Sequence, residues 1–211
     1  MPMMVRPDRQ ASIEALLVSH EVDVIVSDDG LQHLALERDI EICLVDDTSP
    51  QENEFMLPAG PYREPLSRLM SVDFIVRHGG QVGNADNQFA MNLVATKPKP
   101  VVAKNGTKFD HKASIHAVAG IGNPQRFFDT CEALGYKISK HEFPDHHHFS
   151  FHDISFTDGL VLMTEKDAVK CTHIAGEQHW YLPVDANLTK GFSSAIIKRL
   201  TQIQEDKEQY V

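Results

Sequence analysis

Acidic and basic side chains recur in this sequence directly after short apolar runs. Asp28 and Asp29 follow the apolar run 22–27, which predicts a short buried strand. Open α/β sheets bind their ligands at the carboxyl ends of such strands, and an aspartate there helps to hold Mg²⁺ in phosphoryl-transfer enzymes. Asp-Asp-Gly is also typical of an ordinary turn. The residues alone leave both interpretations open.

A proline-rich segment carries a second pair of charges. Residues 57–65 read Leu-Pro-Ala-Gly-Pro-Tyr-Arg-Glu-Pro, and the prolines stiffen the backbone around Arg63 and Glu64. A stiff loop with a guanidinium and a carboxylate suits phosphate binding and metal ligation. The alternative is a solvated turn that leads into the helical segment 65–70.

The densest group of titratable side chains is the stretch 143–149, Phe-Pro-Asp-His-His-His-Phe. Asp145 beside His146 can supply a general base or a metal ligand. Consecutive side chains point apart in regular structure, so we expect at most one of the three histidines in a site. Surface histidines without a role are the alternative.

Two further segments follow predicted strands. Thr164 with Asp167 three residues later resembles a capping box, and we predict that it begins a helix. The segment 120–124, Gly-Ile-Gly-Asn-Pro, has neither a third glycine nor a lysine, so a helix-entry turn is favoured over a phosphate-binding loop.

The amino-acid composition and net charge restrict the classes of protein to which this chain can belong. The chain has 211 residues, a net charge of −10 and an isoelectric point near 5.6, which argues against a nucleic-acid partner. The three cysteines lie far apart in the sequence and form no Cys-x-x-Cys motif, which indicates reduced thiols of a cytoplasmic protein. No stretch approaches the roughly 20 apolar residues of a membrane-spanning helix.

Apolar runs that alternate with helical segments predict an α/β fold with a parallel sheet. We predict a first α/β portion over 1–96, a connector over 97–113 and a smaller α/β domain over 114–211. The predicted helices are 8–20, 124–134 and 191–203, and the predicted strands are 22–27, 40–45, 72–76, 89–95, 114–118, 136–143, 160–163 and 180–182.

Taken together, these segments resemble the tetraacyldisaccharide 4'-kinase family. The first half carries, in the family's order, 28–33 (Asp-Asp-Gly-Leu-Gln-His), 38–42 and 57–65. The second half carries 119–128 (Ala-Gly-Ile-Gly-Asn-Pro-Gln-Arg-Phe-Phe), 143–147 and 163–170 (Met-Thr-Glu-Lys-Asp-Ala-Val-Lys). The resemblance covers nearly the whole chain.

The resemblance implies a P-loop nucleoside triphosphatase fold with an incomplete parallel sheet. It implies transfer of the γ-phosphoryl group of ATP to the 4'-hydroxyl of a tetraacylated glucosamine disaccharide 1-phosphate, the lipid A disaccharide precursor, in lipid A biosynthesis. The full-length enzyme is expected in the cytoplasm, peripheral to the inner membrane.

The resemblance also assigns site residues. It implies Mg²⁺ ligation by Asp28, Asp29 and Glu64, with Asp29 as the principal ligand. Gln32 and Arg63 are expected beside the phosphates of ATP or the lipid head group.

His146 is expected to partner a catalytic aspartate across the cleft between the two domains, so we predict Asp145 and His146 as the catalytic residues.

Three departures from the family pattern shape the expectations. The sequence has no Gly-x-x-x-x-Gly-Lys-Ser/Thr loop to cradle ATP. The general-base aspartate and the membrane-associating helix of the family are expected upstream of residue 1. The segment 47–54 lacks the family's arginine and Gly-Asn-Gly-like turn and is expected to be remodelled.

We therefore expect the isolated chain to be inactive or only partly active. We also expect an apolar exposed edge on its first sheet. The alternatives are a non-catalytic lipid-binding module or a complementing half of a split kinase, and, less favoured by the residues, a metal-dependent hydrolase built on Asp28, Asp29 and His146.

Overall fold

Two compact units make up the chain in the computed structural model, which describes residues 1–48, 53–80, 82, 85–103 and 108–209. The first unit comprises Met1–Met91 and Leu188–Val211, and the second comprises Asn92–Asn187. The predicted boundaries of 1–96, 97–113 and 114–211 differ from this division, because the closing helix groups with the first unit. Part of the predicted connector lies outside the described residues.

Helices and strands alternate along most of the chain, as expected for an α/β fold. In order they are α1 (Arg9–Ser19), β1 (Ile42–Asp46), a 3₁₀ helix (Leu66–Met70), β2 (Phe74–His78), β3 (Gln88–Ala95), β4 (Lys99–Pro100), β5 (Ile115–Ala119), α2 (Pro124–Ala133), β6 (Ile138–Glu142), a 3₁₀ helix (Phe151–Ile154), β7 (Leu160–Thr164), α3 (Glu165–Cys171), β8 (His179–Leu182), β9 (Val184–Leu188) and α4 (Phe192–Glu208).

The sheet of the first unit has the strand order β1-β2-β3-β9, with β1, β2 and β3 parallel. The central strand β2 begins with three buried apolar residues, 74–76, and neighbouring strands flank it on both sides. Phe74 of β2, Phe89 of β3 and Phe192 at the start of α4 form an aromatic cluster with ring centroids 5.1–6.1 Å apart. This cluster explains why α4 belongs to the first unit.

The sheet of the second unit has the order β4-β8-β7-β5-β6 and is parallel except for the short edge strand β4. Alternate residues of β5 and β7 point to opposite faces. One face packs Ala117 and Leu162 against Phe128 of α2, and the other packs Val118 and Met163 with residues of α3 and of the second 3₁₀ helix. Both faces of the central strands are therefore covered.

The predicted strand at 22–27 is wrong. This run forms no strand and includes a bend at Asp23, and most of its side chains are exposed, with Val24 53% and Val26 81% accessible. A strand needs a neighbour to take up its backbone hydrogen bonds, and none of the described residues supplies one. The run is apolar, as a buried strand would be, but an apolar sequence does not by itself provide a neighbouring strand.

The other predicted strands and helices are confirmed with shifts of a few residues at their ends. Strands β4 and β9 escaped prediction because β4 has only two residues and β9, Val-Asp-Ala-Asn-Leu, is mostly exposed. Within the described part of the chain, no helix combines the length and apolar character that a bilayer crossing requires.

Two histidines share a hydrogen bond on the second sheet. Nδ1 of His116 on β5 lies 3.0 Å from Nε2 of His141 on β6, and the His116 ring stacks on Phe156 at 4.0 Å. Asp158 approaches His116 Nε2 at 3.6 Å. Burial, followed by the nearby His116, lowers the pKa of His141.

This pair predicts a pH-dependent stability. Because the pKa of His141 is lower in the folded chain than the unfolded value of about 6.5, the unfolded chain takes up a proton first as the pH falls. We expect the thermal unfolding midpoint of wild type to fall between pH 7.5 and pH 5.5, and the fall to be smaller in His141→Gln. The exposed His173 offers the control His173→Gln. An equal fall in all three proteins would contradict the assignment.

Candidate functional site

The turn at Asp28 and Asp29 is held by an arginine from α1. Asp8 caps α1, and Arg9 in its first turn donates to Ser27 Oγ at 2.5 Å and to the carbonyls of Asp28 and Asp29 at 2.8 and 2.9 Å. Asp29 has a φ of 48°, in the left-handed region that costs a residue with a side chain about 1 kcal/mol or more. Three charge-assisted hydrogen bonds therefore keep an unusual backbone turn in place.

Asp29 also pairs with the proline-rich loop. Arg63 Nη1 donates to both carboxylate oxygens of Asp29, at 2.8 and 2.9 Å. Their side chains are 60% and 68% accessible, so the pair contributes less than about 1 kcal/mol. The ion pair nevertheless engages the charges of two predicted site residues with each other.

Gln32 and Glu64 meet directly. Gln32 Nε2 donates to Glu64 Oε1 at 2.7 Å, and Arg68 Nε donates to Glu64 Oε2 at 3.1 Å. Arg68 also bonds Glu41 at 2.6 Å. The hydrogen bond from Arg68, followed by that from Arg38, outweighs burial and lowers the pKa of Glu41. A network of two arginines and two glutamates thus fixes the position of Glu64.

The expected Mg²⁺ set does not fit this arrangement. Both oxygens of Asp29 accept from Arg63, and both oxygens of Glu64 accept from donors. Asp28 is exposed, and its carboxylate has no partner in the described part of the chain. In those same residues, no group of three or more His, Cys, Asp or Glu side chains converges on a possible metal position.

Sequence reasoning missed three charged side chains and a histidine at the carboxyl ends of β1 and β2. Asp46 lies 3.2 Å from His78 Nδ1, and Arg77 donates to Asp47 at 2.9 Å. Burial alone would raise the pKa of Asp46, but hydrogen bonds from Thr48 and His78 lower it to about 2. Charges at two neighbouring strand ends were the signal that could have identified these residues. The segment 47–54 was predicted to be remodelled relative to the family. Its residues 49–52 lie outside the described residues.

In the second unit, the histidine-rich loop follows β6. Asp145 Oδ1 accepts a hydrogen bond from the His146 amide at 3.0 Å, and Asp145 Oδ2 lies 3.7 Å from His146 Nε2. His146 has a φ of 61° and an exposed ring. His147 instead packs between Phe143 and Phe149 and lies 3.3 Å from Asp153. The neighbouring histidines therefore have different environments, and His146 is the accessible partner of Asp145.

A buried carboxylate joins two other strand ends of the second unit. Asp167 is fully buried, and its carboxylate accepts from the Gly120 amide at 2.9 Å, from Thr164 Oγ1 at 2.7 Å and from Lys170 Nζ at 2.8 Å. Thr164 Oγ1 in turn accepts from the Asp167 amide, so the predicted helix cap is confirmed. Asn123 caps α2, so the helix-entry turn predicted at 120–124 is confirmed.

The structure thus joins the predicted residues in three pairs, Asp29 with Arg63, Gln32 with Glu64, and Asp145 with His146. The first two pairs belong to the first unit and the third belongs to the second unit. Asp28 adjoins Asp29 in the turn, but its side chain makes no hydrogen bond or ion pair with any of these residues.

Removal of the buried carboxylate should destabilise the second unit. Asp167→Ala leaves the Lys170 ammonium and the Gly120 amide without their acceptor, so we expect the free energy of unfolding to fall by about 3 kcal/mol. Urea titration followed by tryptophan fluorescence reports on Trp180, in the core of the same unit. Asp185→Ala, at an exposed position of β9, should cost less than about 0.5 kcal/mol. Equal losses in both variants would contradict the role of Asp167.

Release of Asp29 should create cation affinity. Arg63→Gln frees both oxygens of Asp29 beside Asp28 and removes a positive charge, so Mn²⁺, used as a probe for Mg²⁺, should bind about threefold tighter than to wild type. Electron paramagnetic resonance of free Mn²⁺ measures this. Arg6→Gln makes the same charge change at another exposed position, where the structure shows no contact with Asp29. Equal affinity in the two variants would show that the ion pair does not block a cation.

Comparison with known proteins gives a consistent result. The family model for tetraacyldisaccharide-1-P 4'-kinase, LpxK, matches residues 1–201. The tetraacyldisaccharide 4'-kinase of Shewanella frigidimarina is 46% identical over 98% of this chain and 62% of its own length. The tetraacyldisaccharide 4'-kinase of Nitrosococcus oceani is 45% identical over 98% of this chain and 61% of its own length. The chain therefore spans about three-fifths of the length of these relatives.

A solved structure shares the fold. The chain of LpxK from Aquifex aeolicus, crystallised in an "apo" form in complex with ATP, superposes with a TM-score of 0.64 and 24% identity, over 82% of this chain and 56% of that one. The predicted α/β class with a parallel sheet is thereby confirmed. With a match over residues 1–201 and relatives above 40% identity, this chain belongs to the tetraacyldisaccharide-1-P 4'-kinase family.

Proposed function

We propose that this chain forms part of a kinase that phosphorylates the 4'-hydroxyl of a tetraacylated glucosamine disaccharide 1-phosphate with ATP, a step of lipid A biosynthesis. The observation that carries the proposal is the match over 98% of the chain to proteins named tetraacyldisaccharide 4'-kinase. The exposed, hydrogen-bonded pairs described above supply the polar groups that a phosphorylated sugar and a nucleotide need.

In the proposed reaction, the 4'-hydroxyl oxygen forms a bond to the γ-phosphorus as the bond between that phosphorus and the bridging oxygen of ADP breaks. The hydroxyl proton passes to a general base, which the family resemblance assigns to an aspartate outside this chain. His146 supports that base, and Asp145 orients His146. Positioning and charge stabilisation supply most of the catalysis in such reactions.

Gln32 and Arg63 are proposed to contact the phosphates of ATP or of the lipid head group. Arg63 has the planar guanidinium that suits phosphate oxygens, and it is exposed enough to reach a ligand. Asp29 binds the same guanidinium. A phosphate that binds Arg63 would therefore compete with the Asp29 carboxylate.

Mg²⁺ enters the proposal only as the usual companion of ATP phosphates. The predicted ligands Asp28, Asp29 and Glu64 are not assembled for it, and no step of the reaction is assigned to the metal.

We further propose that the isolated chain transfers little phosphate, because its sequence has no lysine-bearing glycine loop for the β- and γ-phosphates. The full enzyme would act at the cytoplasmic face of the inner membrane, where its lipid substrate lies.

A complementing half of a split kinase is the second candidate. The exposed, unpaired run at Val24 and Val26 favours it, as does the open edge of β1, where Leu44 is exposed. Apolar segments and open strand edges of this kind are suited to pairing with another polypeptide. A purely lipid-binding module would bind the acylated disaccharide without needing such a partner.

Complementation tests the proposal. This chain would be co-produced with the part of the Shewanella frigidimarina relative that it does not match, and transfer from γ-³²P-ATP to the tetraacyldisaccharide 1-phosphate would be measured. We expect transfer by the mixture and little by the chain alone. In the mixture, His146→Asn should lower kcat by about 100-fold, because support of the base is lost.

His173→Asn, at an exposed position of the same unit, should retain wild-type kcat. A mixture that binds the lipid without phosphorylating it would favour the lipid-binding module instead. Full turnover by the isolated chain would refute the need for a complementing part.

A further inference from the structure

The first turn of α3 is held rigidly in the second unit. Asp167 is anchored by Gly120, Thr164 and Lys170, and Thr164 closes the cap from the end of β7. Lys166 is the residue just before this buried anchor. Its backbone is therefore fixed in position, although its side chain is 52% accessible.

Lys166 reaches across to the loop that follows β6. Its Nζ lies 3.3 Å from Asp145 Oδ1, the same oxygen that accepts the His146 amide at 3.0 Å. The other oxygen, Oδ2, lies 3.6 Å from the position that a Cβ on Gly122 would occupy. Asp145 is thus confined between the end of β7, the turn after β5 and its own loop.

These three segments meet because their strands are neighbours. The order β7-β5-β6 is parallel throughout, so the carboxyl ends of the three strands lie at one edge of the sheet. Lys166 comes from the first of these ends and Asp145 from the third.

The position of Asp145 matters for His146. With a φ of 61°, His146 adopts a left-handed conformation that disfavours residues with a Cβ. The hydrogen bond from its amide to Asp145 stabilises this conformation. Displacement of Asp145 would therefore remove a support of the turn that carries the imidazole.

We propose that Lys166 is a positioning residue for His146, acting through Asp145. The functional meaning of the proposal rests on the role given to His146 above. One carboxylate oxygen of Asp145 serves both the Lys166 ammonium and the His146 amide, so the two groups are linked through a single acceptor.

The ionisation of Asp145 agrees with this geometry. Partial desolvation opposes its ionisation, but the hydrogen bonds from Lys166 and from the His146 amide outweigh it and lower the pKa of Asp145. The contribution of Lys166 is available wherever Asp145 is ionised, which includes neutral pH.

Nuclear magnetic resonance on the isolated chain tests the proposal without any kinase activity. The carboxyl carbon of Asp145 is titrated in wild type, Lys166→Met and Lys166→Arg, and the His146 amide proton is followed in the same samples. We expect the Asp145 midpoint to rise in Lys166→Met, with a displaced His146 amide signal at neutral pH, and both to return towards wild type in Lys166→Arg.

Lys137→Met is the matched control, because Lys137 is an exposed lysine of the same unit. It should leave both signals in place. An unchanged Asp145 midpoint in Lys166→Met, or a changed midpoint with an unmoved His146 amide, would overturn the proposal.

A second arm uses the complemented kinase. Lys166→Met should lower kcat about tenfold or more while the KM for ATP stays near wild type, and Lys166→Arg should restore kcat. A normal kcat in Lys166→Met would overturn the positioning role. An inactive wild-type mixture would count against the proposed function, whereas the resonance experiment would still decide whether Lys166 holds Asp145 and His146.

Discussion

A parallel strand is stable only when neighbours take up its backbone hydrogen bonds and other elements cover its two faces. In the second unit this condition is met for β5 and β7, whose alternate residues pack on α2 and on α3. In the first unit it is met for β2 but not for the run at 22–27, which forms no strand and is mostly exposed. The availability of neighbours, more than local preference, decides which apolar runs become strands.

Ion pairs and hydrogen bonds within the chain engage several of the acidic side chains that the sequence pointed to. Arg63 and Arg68 engage Asp29 and Glu64, so the carboxylates that a cation would require are already paired. In the second unit Asp145 is likewise paired, with Lys166, while the His146 ring stays exposed. In both units, therefore, the predicted acidic residues other than Asp28 are engaged by basic side chains.

Short-range sequence patterns were sufficient to predict where several helices begin. Asp8, Asn123 and Thr164 each begin a helix with the side-chain cap that their chemistry predicts. The strand at 22–27 failed because pairing is a non-local property. The pairs Asp29 with Arg63 and Gln32 with Glu64 could be placed in one region by family resemblance, but their contacts depend on side-chain geometry across more than 30 residues of chain. The Asp46–His78 contact was missed because it links two strands that sequence patterns treat separately.

The aromatic cluster of Phe74, Phe89 and Phe192 has a consequence for the order of folding during synthesis. The second unit, Asn92–Asn187, is inserted in sequence between the two segments of the first. All of its residues leave the ribosome before Phe192 does, so its core can close while the first unit still lacks its last helix. Because translation proceeds from the N-terminus and domains fold as units, the second unit is able to fold first and the earlier segment must wait for the end of the chain.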